Sequence, residues 1–415
     1  MKLLWLCNSA PGVVRAHISG RPASAVNWVD HVLTGLRQRG FTLRILFRGS
    51  SGEGQIDGHC SYCAFPEELP YIYRPELEEV FRQELRRFQP DVIHSWGVEY
   101  DHALAMVNAA EKEGMLPRMI ASIQGLCGFI APHYADGLPE RVKNGYTLRD
   151  FVRKDNIRQQ QDKFVLRGKL EAQAVGKLHH VSGRTQWDRA KTARLNPAIQ
   201  YHFCNETLRE GFYEGQWSYE TCTKYRIFAP SCSYPVKGFH YLLDAFAEVV
   251  KDYPQATLTV TGKSFLHGSW KETLRRGRYE AYLRSLVKRH HLEGKITFLG
   301  SLSAEEMKRA YLDAHVFTLP STIENSPNSL GEAMLLGVPC VAADVGGVKD
   351  LMAHPDEGYI YPPGDVCRLV QNIKAIFAME EKAAFLGNAA RAHAARTHDP
   401  EKNLQTLIEI YETLT

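Results

Sequence analysis

The chain has 415 residues, long enough for two or three domains with sizeable cores. Hydrophobic residues make up 44% and charged residues 23%, an ordinary globular balance that excludes a disordered or fibrous chain. A formal net charge of +3 is too small to argue for nucleic-acid binding, and no apolar run approaches the ~20 residues of a membrane span.

The N-terminal sequence MKLLWLCNSAPG holds one short apolar run after Lys2. It is too short for the hydrophobic segment of a signal peptide and predicts a first β-strand. Further strand-like runs follow at 42–47, 91–96, 118–124, 179–183 and 199–203. A second set lies at 226–231, 257–262, 296–300, 316–321, 339–344 and 358–362. Helical patterns separate most of them, for example at 25–40, 239–253 and 304–314. Strand–helix alternation with short connections predicts parallel sheets covered on both faces. The expected architecture is α/β, with two Rossmann-like doubly wound domains. The expected divisions are 1–204, a linker at 205–222, a second domain at 223–395, and a terminal segment at 396–415.

Between the first-half strands, residues 146–175 predict one long helix or two. Arg and Lys residues there interleave with Phe151, Val152, Phe164, Val165 and Leu166. The pattern fits a solvated basic face, or a surface attracted to anionic lipid or an anionic acceptor. Nine cysteines are scattered along the chain, several in predicted strands (Cys7, Cys340). That distribution suits a reducing compartment and a cytoplasmic location, and the basic segment 146–175 adds the expectation of peripheral contact at the inner membrane face. Cys60-x-x-Cys63 is an isolated close pair with no His at zinc spacing, so no metal site is expected.

Four familiar motifs are excluded. VTGKS (260–264) has Thr257 where a P-loop needs its first glycine. GSSGEG (49–54) is not a dinucleotide fingerprint. Neither G-x-S-x-G nor H-E-x-x-H occurs. Gly262 and Lys263 still follow a predicted strand, where nucleotides bind in open α/β sheets.

The richest stretch is TLPSTIENSPNSLGEAMLLGVPCVAAD (318–344). Ser326 suits an N-cap, Pro327 the first helical position and Gly337 the residue after the helix, predicting a helix over about 327–336. Glu324 falls in the loop before it. Glu332 falls within it, on the same face as Asn328. The free amides of Asn328 and Ser329 favour an anion, so the stretch suits a ligand carrying phosphate and hydroxyl groups. The same spacing also fits two solvated carboxylates beside a helix end.

In ENSPNSLGEAM (324–334) the stretch resembles the E-x7-E motif of the retaining GT-B glycosyltransferases of family four. SYPVKGFHYLLDAF (233–246) is similar to that family's strand–loop–helix ending in Lys-Gly, and VGGVKDLMAHPDEGYIYPPGD (345–365) to the segment closing its donor domain. QPDVIHSWGVEYDHAL (89–104), SGRTQWDRA (182–190) and CNETLREGFY (204–213) resemble acceptor-domain segments of a bacterial polysaccharide subgroup.

The resemblance implies a GT-B fold with two domains facing a central cleft, and a final helix over 400–415 crossing back to the first domain. It implies that Glu324 and Lys237 serve catalysis, through the donor sugar's hydroxyls and the leaving diphosphate. Glu332 would hold the ribose, with Asn328, Ser329, Gly262, Lys263, Arg184 and Gly12 also on the donor. Gln124, His133 and Trp96 would meet the acceptor. No metal and no cofactor is implied beyond a nucleotide-diphosphate sugar, with a glycan, lipid-linked or small-molecule acceptor. Three positions depart from the family pattern. Cys232 replaces an arginine five residues before Lys237, Gln124 replaces a histidine, and Gly12 stands alone in place of paired glycines. A nucleotide-sugar-binding protein with little catalysis, and a sugar-nucleotide epimerase of similar fold, remain alternatives at this stage.

Overall fold

The computed structural model describes residues 1–21, 28–50, 52–66, 69–266 and 268–415. Residues 25–27, the start of the helix expected over 25–40, and Ser51 of the 49–54 segment lie outside the described residues. The chain divides into two compact units. Unit 1 holds residues 1–131, 163–209 and 398–415, and unit 2 holds 132–162 and 210–397.

Unit 1 is built on β1 (Lys2–Cys7), β2 (Thr42–Arg48), β3 (Glu53–Asp57), β4 (Cys60–Phe65), β5 (Val92–Trp96), β6 (Met119–Ser122), β7 (His180–Gly183) and β8 (Gln200–Phe203). The sheet order is β3-β4-β2-β1-β5-β6-β7-β8, parallel throughout except for the β3–β4 hairpin. That hairpin breaks the expected strand list. Its sequence, EGQIDGHCSYCAF, has no continuous apolar run, because no residue of β3 is buried and the buried residues of β4, Cys60, Tyr62 and Phe65, alternate with half-buried ones. Cys60 and Cys63 stand three residues apart on β4, so they point to opposite faces.

Unit 2 is built on β9 (Arg226–Ala229), β10 (Thr257–Val260), β11 (Ile296–Phe298), β12 (Val316–Leu319), β13 (Cys340–Ala343) and β14 (Tyr359–Tyr361), in the order β11-β10-β9-β12-β13-β14. All its pairings are parallel. Strand order reverses once in each sheet, between β1 and β5 in unit 1 and between β9 and β12 in unit 2. In open parallel sheets such a switch point leaves a crevice at the strands' carboxyl ends, where ligands bind.

The basic segment resolves into two helices, Leu148–Arg153 and Ile157–Lys177. The C-terminal helix Pro400–Thr413 belongs to unit 1. Its Leu404, Leu407, Ile408 and Tyr411, spaced for one helical face, enter a core with Trp5, Val32, Leu33 and Leu36. Leu404 lies so close to Gly35 that a Cβ there would meet its Cδ2 at 2.3 Å.

Candidate functional site

The switch point of unit 2 is assembled by two loops that lock together. After β9, Pro235–Lys237 forms a single 3-10 turn ended by Gly238 at φ +63°. A Cβ on Gly238 would stand 1.8 Å from the Pro320 carbonyl oxygen, so only glycine lets this turn approach the end of β12. Thr322, in the loop after β12, donates its backbone N–H to the Val236 carbonyl at 2.8 Å. On the other side, Gly346 at φ +53° would place a Cβ 1.5 Å from the Glu324 carbonyl oxygen. Gly347 N–H bonds to the Asn325 carbonyl at 3.0 Å. Glu324 is therefore seated between two glycine turns.

That seat brings Lys237 Nζ to 2.7 Å from Glu324 Oε1. Ser321 Oγ donates to the same oxygen at 2.7 Å. An ammonium has three protons, so Lys237 keeps donors for a second partner while holding Glu324. The helix Asn328–Leu335 follows, with Pro327 at its N-cap, a residue whose own side chain makes no cap hydrogen bond. Those amides are a ready anion seat. Ser326 is thus one residue outside the N-cap position expected for it, while Gly337 takes the left-handed conformation past the helix end (φ +75°). Arg391 fixes the helix's other end by donating to the Leu335 carbonyl at 3.0 Å.

Glu332 is 6% exposed. The Tyr311 hydroxyl lies 3.0 Å from the Ser329 carbonyl and 3.3 Å from Glu332 Oε2. Tyr311 is itself fixed among Phe212, Phe228 and Phe317. Tyr311, Ser321, Gly238 and Gly346 are additions to the residues expected from sequence. The two glycines had a signal in the Lys-Gly and Gly-Gly turns; Tyr311 had none beyond its place in an amphipathic helix.

Gly262 follows β10 at φ +109° and exchanges backbone hydrogen bonds with Gly300. Lys263 is exposed and pairs with Glu272 at 3.1 Å. Cys232 is buried. Burial pushes its thiol up to about 12, so it stays neutral and cannot stand in for the family's arginine. A pocket of about 520 Å³ lined by Thr221, Arg226, Thr259, Glu306 and Asp313 contains none of these loop residues and is not part of the site.

The remaining candidates are placed as follows. Arg184, expected as a further cation for the donor, is 5% exposed in unit 1, and its Nη1 donates to Glu206 Oε2 at 2.7 Å. Gln124 Nε2 donates to the other Glu206 oxygen at 2.7 Å. Arg184 is thus committed to a carboxylate within its own unit. Trp96 is a core residue, stacked on His94 at 3.9 Å and edge-on to Trp5. It touches a cavity of about 20 Å³ that Arg184 and Glu206 also line, room for about one water. Gly12 is buried at the start of the helix Gly12–Ser19, beyond the end of β1. His133 lies in unit 2, where its carbonyl accepts from Thr322 Oγ1 at 2.9 Å and its ring pairs with Asp136 at 2.9 Å.

The switch point of unit 1 carries a second constellation that motif reading did not single out. Asn8, just past β1, donates to Glu99 Oε1 at 2.6 Å, and Val98 N–H bonds to Glu99 Oε2 at 2.9 Å. Gly97, at φ +126°, makes room: a Cβ there would sit 2.5 Å from Glu99 Oε2. Desolvation lifts the Glu99 carboxyl above the usual range, against the opposing effects of backbone and Asn8 hydrogen bonds and of Arg167.

Two doubly wound units, each with its own switch point, define a GT-B fold. Sucrose-phosphate synthase from Thermosynechococcus elongatus has it too, matching 100% of this chain and 99% of its own at TM-score 0.75 and 17% identity. So does Anabaena HepE, solved in complex with UDP, with 100% of both chains covered at TM-score 0.68 and 18% identity. Residues 223–393 match the family described as glycosyl transferases group 1. Unit 2 therefore belongs to that family. The amylovoran biosynthesis glycosyltransferase AmsK of Erwinia amylovora is 30% identical over 144 residues, which are 33% of this chain and 35% of AmsK. The chain thus aligns with about a third of that relative's length.

Proposed function

We propose that this protein transfers a sugar from a nucleotide-diphosphate sugar to a hydroxylated acceptor, with retention of anomeric configuration. The observation that carries the reading is the Lys237–Glu324 pair at 2.7 Å on the switch point of unit 2, beside a helix N-terminus and the buried Glu332. Lys237 and the amides of Asn328 and Ser329 suit the diphosphate. Glu324 suits sugar hydroxyls and Glu332 the ribose diol, because a carboxylate's two oxygens match vicinal hydroxyls. The UDP bound to HepE supports a uridine nucleotide as the first probe.

In this reading the bond from the anomeric carbon to the diphosphate breaks as the acceptor oxygen bonds to the same face. The acceptor's proton passes to the leaving phosphate oxygen. No side chain acts as nucleophile. Lys237 and the helix amides stabilise the charge that develops on the leaving group, which is where electrostatic stabilisation is most effective. The protein's remaining task is orientation. Leaving-group charge is met by protein donors, so transfer proceeds in the presence of a chelator. AmsK's name supports surface-polysaccharide synthesis as the setting.

The test is incubation with UDP-, GDP- and ADP-sugars plus candidate glycan and lipid-linked acceptors, with and without EDTA, followed by NMR of the product's anomeric centre. Retained configuration and EDTA-insensitive turnover are expected. An inverted product, or turnover abolished by EDTA and restored by a divalent ion, would refute the mechanism. An epimerised donor without acceptor would refute transfer itself.

A further inference from the structure

The helix Leu148–Arg153 in unit 2 is amphipathic in the wrong sense for a surface helix. Its acidic residue Asp150 is 0% exposed, while Phe151 and Val152 are each 72% exposed. Leu148, Phe151 and Val152 stand at i, i+3 and i+4, so they share one face, and that face points to solvent with Tyr146 beside it. Ordinary surface helices turn such a stripe inward.

The inversion is held in place by specific bonds. Thr147 and Asp150 form a reciprocal capping box. Thr147 Oγ1 donates to the Arg276 carbonyl at 2.8 Å, and Asp150 Oδ2 accepts from Arg278 N–H at 2.9 Å. The buried polar side is thus stapled to unit 2 while the apolar side is displayed.

The charges around the stripe identify the occupant. Every acid in residues 140–158 is engaged by a base: Glu140 by Lys143 and Arg158, and Asp150 and Asp155 by Arg149. Arg153 and Lys154 are exposed and have no side-chain partner among the described residues. A position at a helix C-terminus accounts for two basic residues by itself, but not for two large apolar side chains next to them. Apolar residues that can enter the acyl boundary, flanked by unpaired cations, are the features of an anionic lipid surface's partner.

We propose that residues 146–154 are a membrane-docking tip, with Leu148, Phe151 and Val152 inserting and Arg153 and Lys154 meeting anionic headgroups. The inference rests on this helix alone and stands independently of the donor-site reading. It is tested by sedimenting the full chain with phosphatidylcholine vesicles, alone or containing phosphatidylglycerol. Binding is expected only to the anionic vesicles and is expected to fall between ~0.1 M and ~1 M salt, where the screening length drops from about 10 to about 3 Å.

The paired substitution Phe151→Ser with Val152→Ser should abolish binding. Arg153→Glu or Lys154→Glu should each weaken it by at least about fivefold, the equivalent of ~1 kcal/mol per basic residue. A Phe151→Trp chain should show a blue-shifted difference spectrum on anionic vesicles. These side chains are exposed, so unchanged thermal unfolding serves as the folding control. Equal binding to both vesicle types, no binding to either, or full binding by the paired Ser variant would each overturn the proposal. So would a concentration-dependent dimer that the paired Ser variant abolishes, because the stripe would then be a contact between two copies.

Discussion

The two switch points share a plan and differ in chemistry. In unit 2 a side chain past β9 reaches a carboxylate past β12, and in unit 1 a side chain past β1 reaches a carboxylate past β5. Positive-φ glycines make room in both. In unit 2 the partner is an ammonium, Lys237, and the neighbouring helix amides add further positive character. In unit 1 it is the neutral amide of Asn8, and desolvation pulls Glu99 toward its protonated form. Topology thus fixes where a ligand can sit, and the residue opposite the carboxylate fixes its charge. An ammonium with donors to spare suits a diphosphate; an amide facing a carboxyl group suits hydroxyl groups.

The largest expected effect tests the glycine seats. Gly346→Ala puts a Cβ against backbone, the Glu324 carbonyl, at 1.5 Å and in a left-handed conformation. Such strain costs roughly 1–3 kcal/mol before the displaced loop is counted. Nucleotide affinity and transfer should fall more than ~100-fold in calorimetry and rate assays, since orientation is most of this catalysis. Gly97→Ala meets a side-chain carboxylate at 2.5 Å, which can move. It should leave nucleotide affinity within about threefold, because its strain is local and lies in unit 1. Equal losses in the two variants would erase the comparison.

Removing the partner of each carboxylate sharpens it. Lys237→Ala should weaken nucleoside diphosphate and slow transfer by ~10²–10³, the scale of losing one charge-stabilising donor. Asn8→Ala should leave nucleoside diphosphate affinity near that of the wild type. Titration calorimetry on both variants decides whether the diphosphate belongs to unit 2.

The smallest effect is on pH dependence. His240, buried between the Tyr279 hydroxyl and the Asp136 carbonyl, is lowered to about 4 by desolvation. Its unfolded value is ~6.5, so the unfolded chain binds more protons between those limits. Stability is complete above pH ~6.5 and declines as pH falls toward 4, by at most ~3 kcal/mol from this residue. Urea midpoints of wild type and His240→Gln at pH 7.5 and 5 should show a shallower acid loss in the variant. An unchanged acid loss would mean that His240 is not held neutral. The segment it anchors, 132–162, carries the helix Leu148–Arg153.

Much of unit 2 was legible because its central strands β9, β12 and β13 are buried on both faces and so read as continuous apolar runs. All six were expected, yet each run extends one or two residues beyond the strand's end. Pro320, Ser321 and Thr322 show why: the loops at the carboxyl ends are buried too. Apolar content marks burial, and here burial outlasts the ladder. The β3–β4 hairpin was not legible, since the polar, partly exposed residues of β3 broke the apolar pattern. Among candidate residues, Glu324 was legible by its place before the Ser326–Pro327 turn and in an E-x7-E pattern, and Lys237 by the glycine that follows it, and the structure brings them together.

The pairing of Arg184 with Glu206 was not legible, because Glu206 lies 22 residues on, in a stretch with no periodicity. Pairing at that range leaves no mark in local sequence. His133 could not be placed by chain order, since its segment lies between β6 and β7 of unit 1 yet packs in unit 2. Tyr311 reads as one more core aromatic, and only its hydroxyl's partners distinguish it.

The most direct test of the central claim separates the two glutamates. UDP, GDP and ADP are titrated calorimetrically into wild type, Glu332→Ala and Glu324→Ala, and transfer is then measured with the matching nucleotide sugar. Glu332→Ala should lose affinity for the preferred nucleotide at least tenfold. Glu324→Ala should bind that nucleotide within about threefold of wild type and yet lose nearly all transfer, because the nucleotide lacks the sugar that Glu324 holds. Full transfer by Glu324→Ala, or unchanged nucleotide affinity in Glu332→Ala, would contradict the assignment of this switch point to a nucleotide-sugar donor.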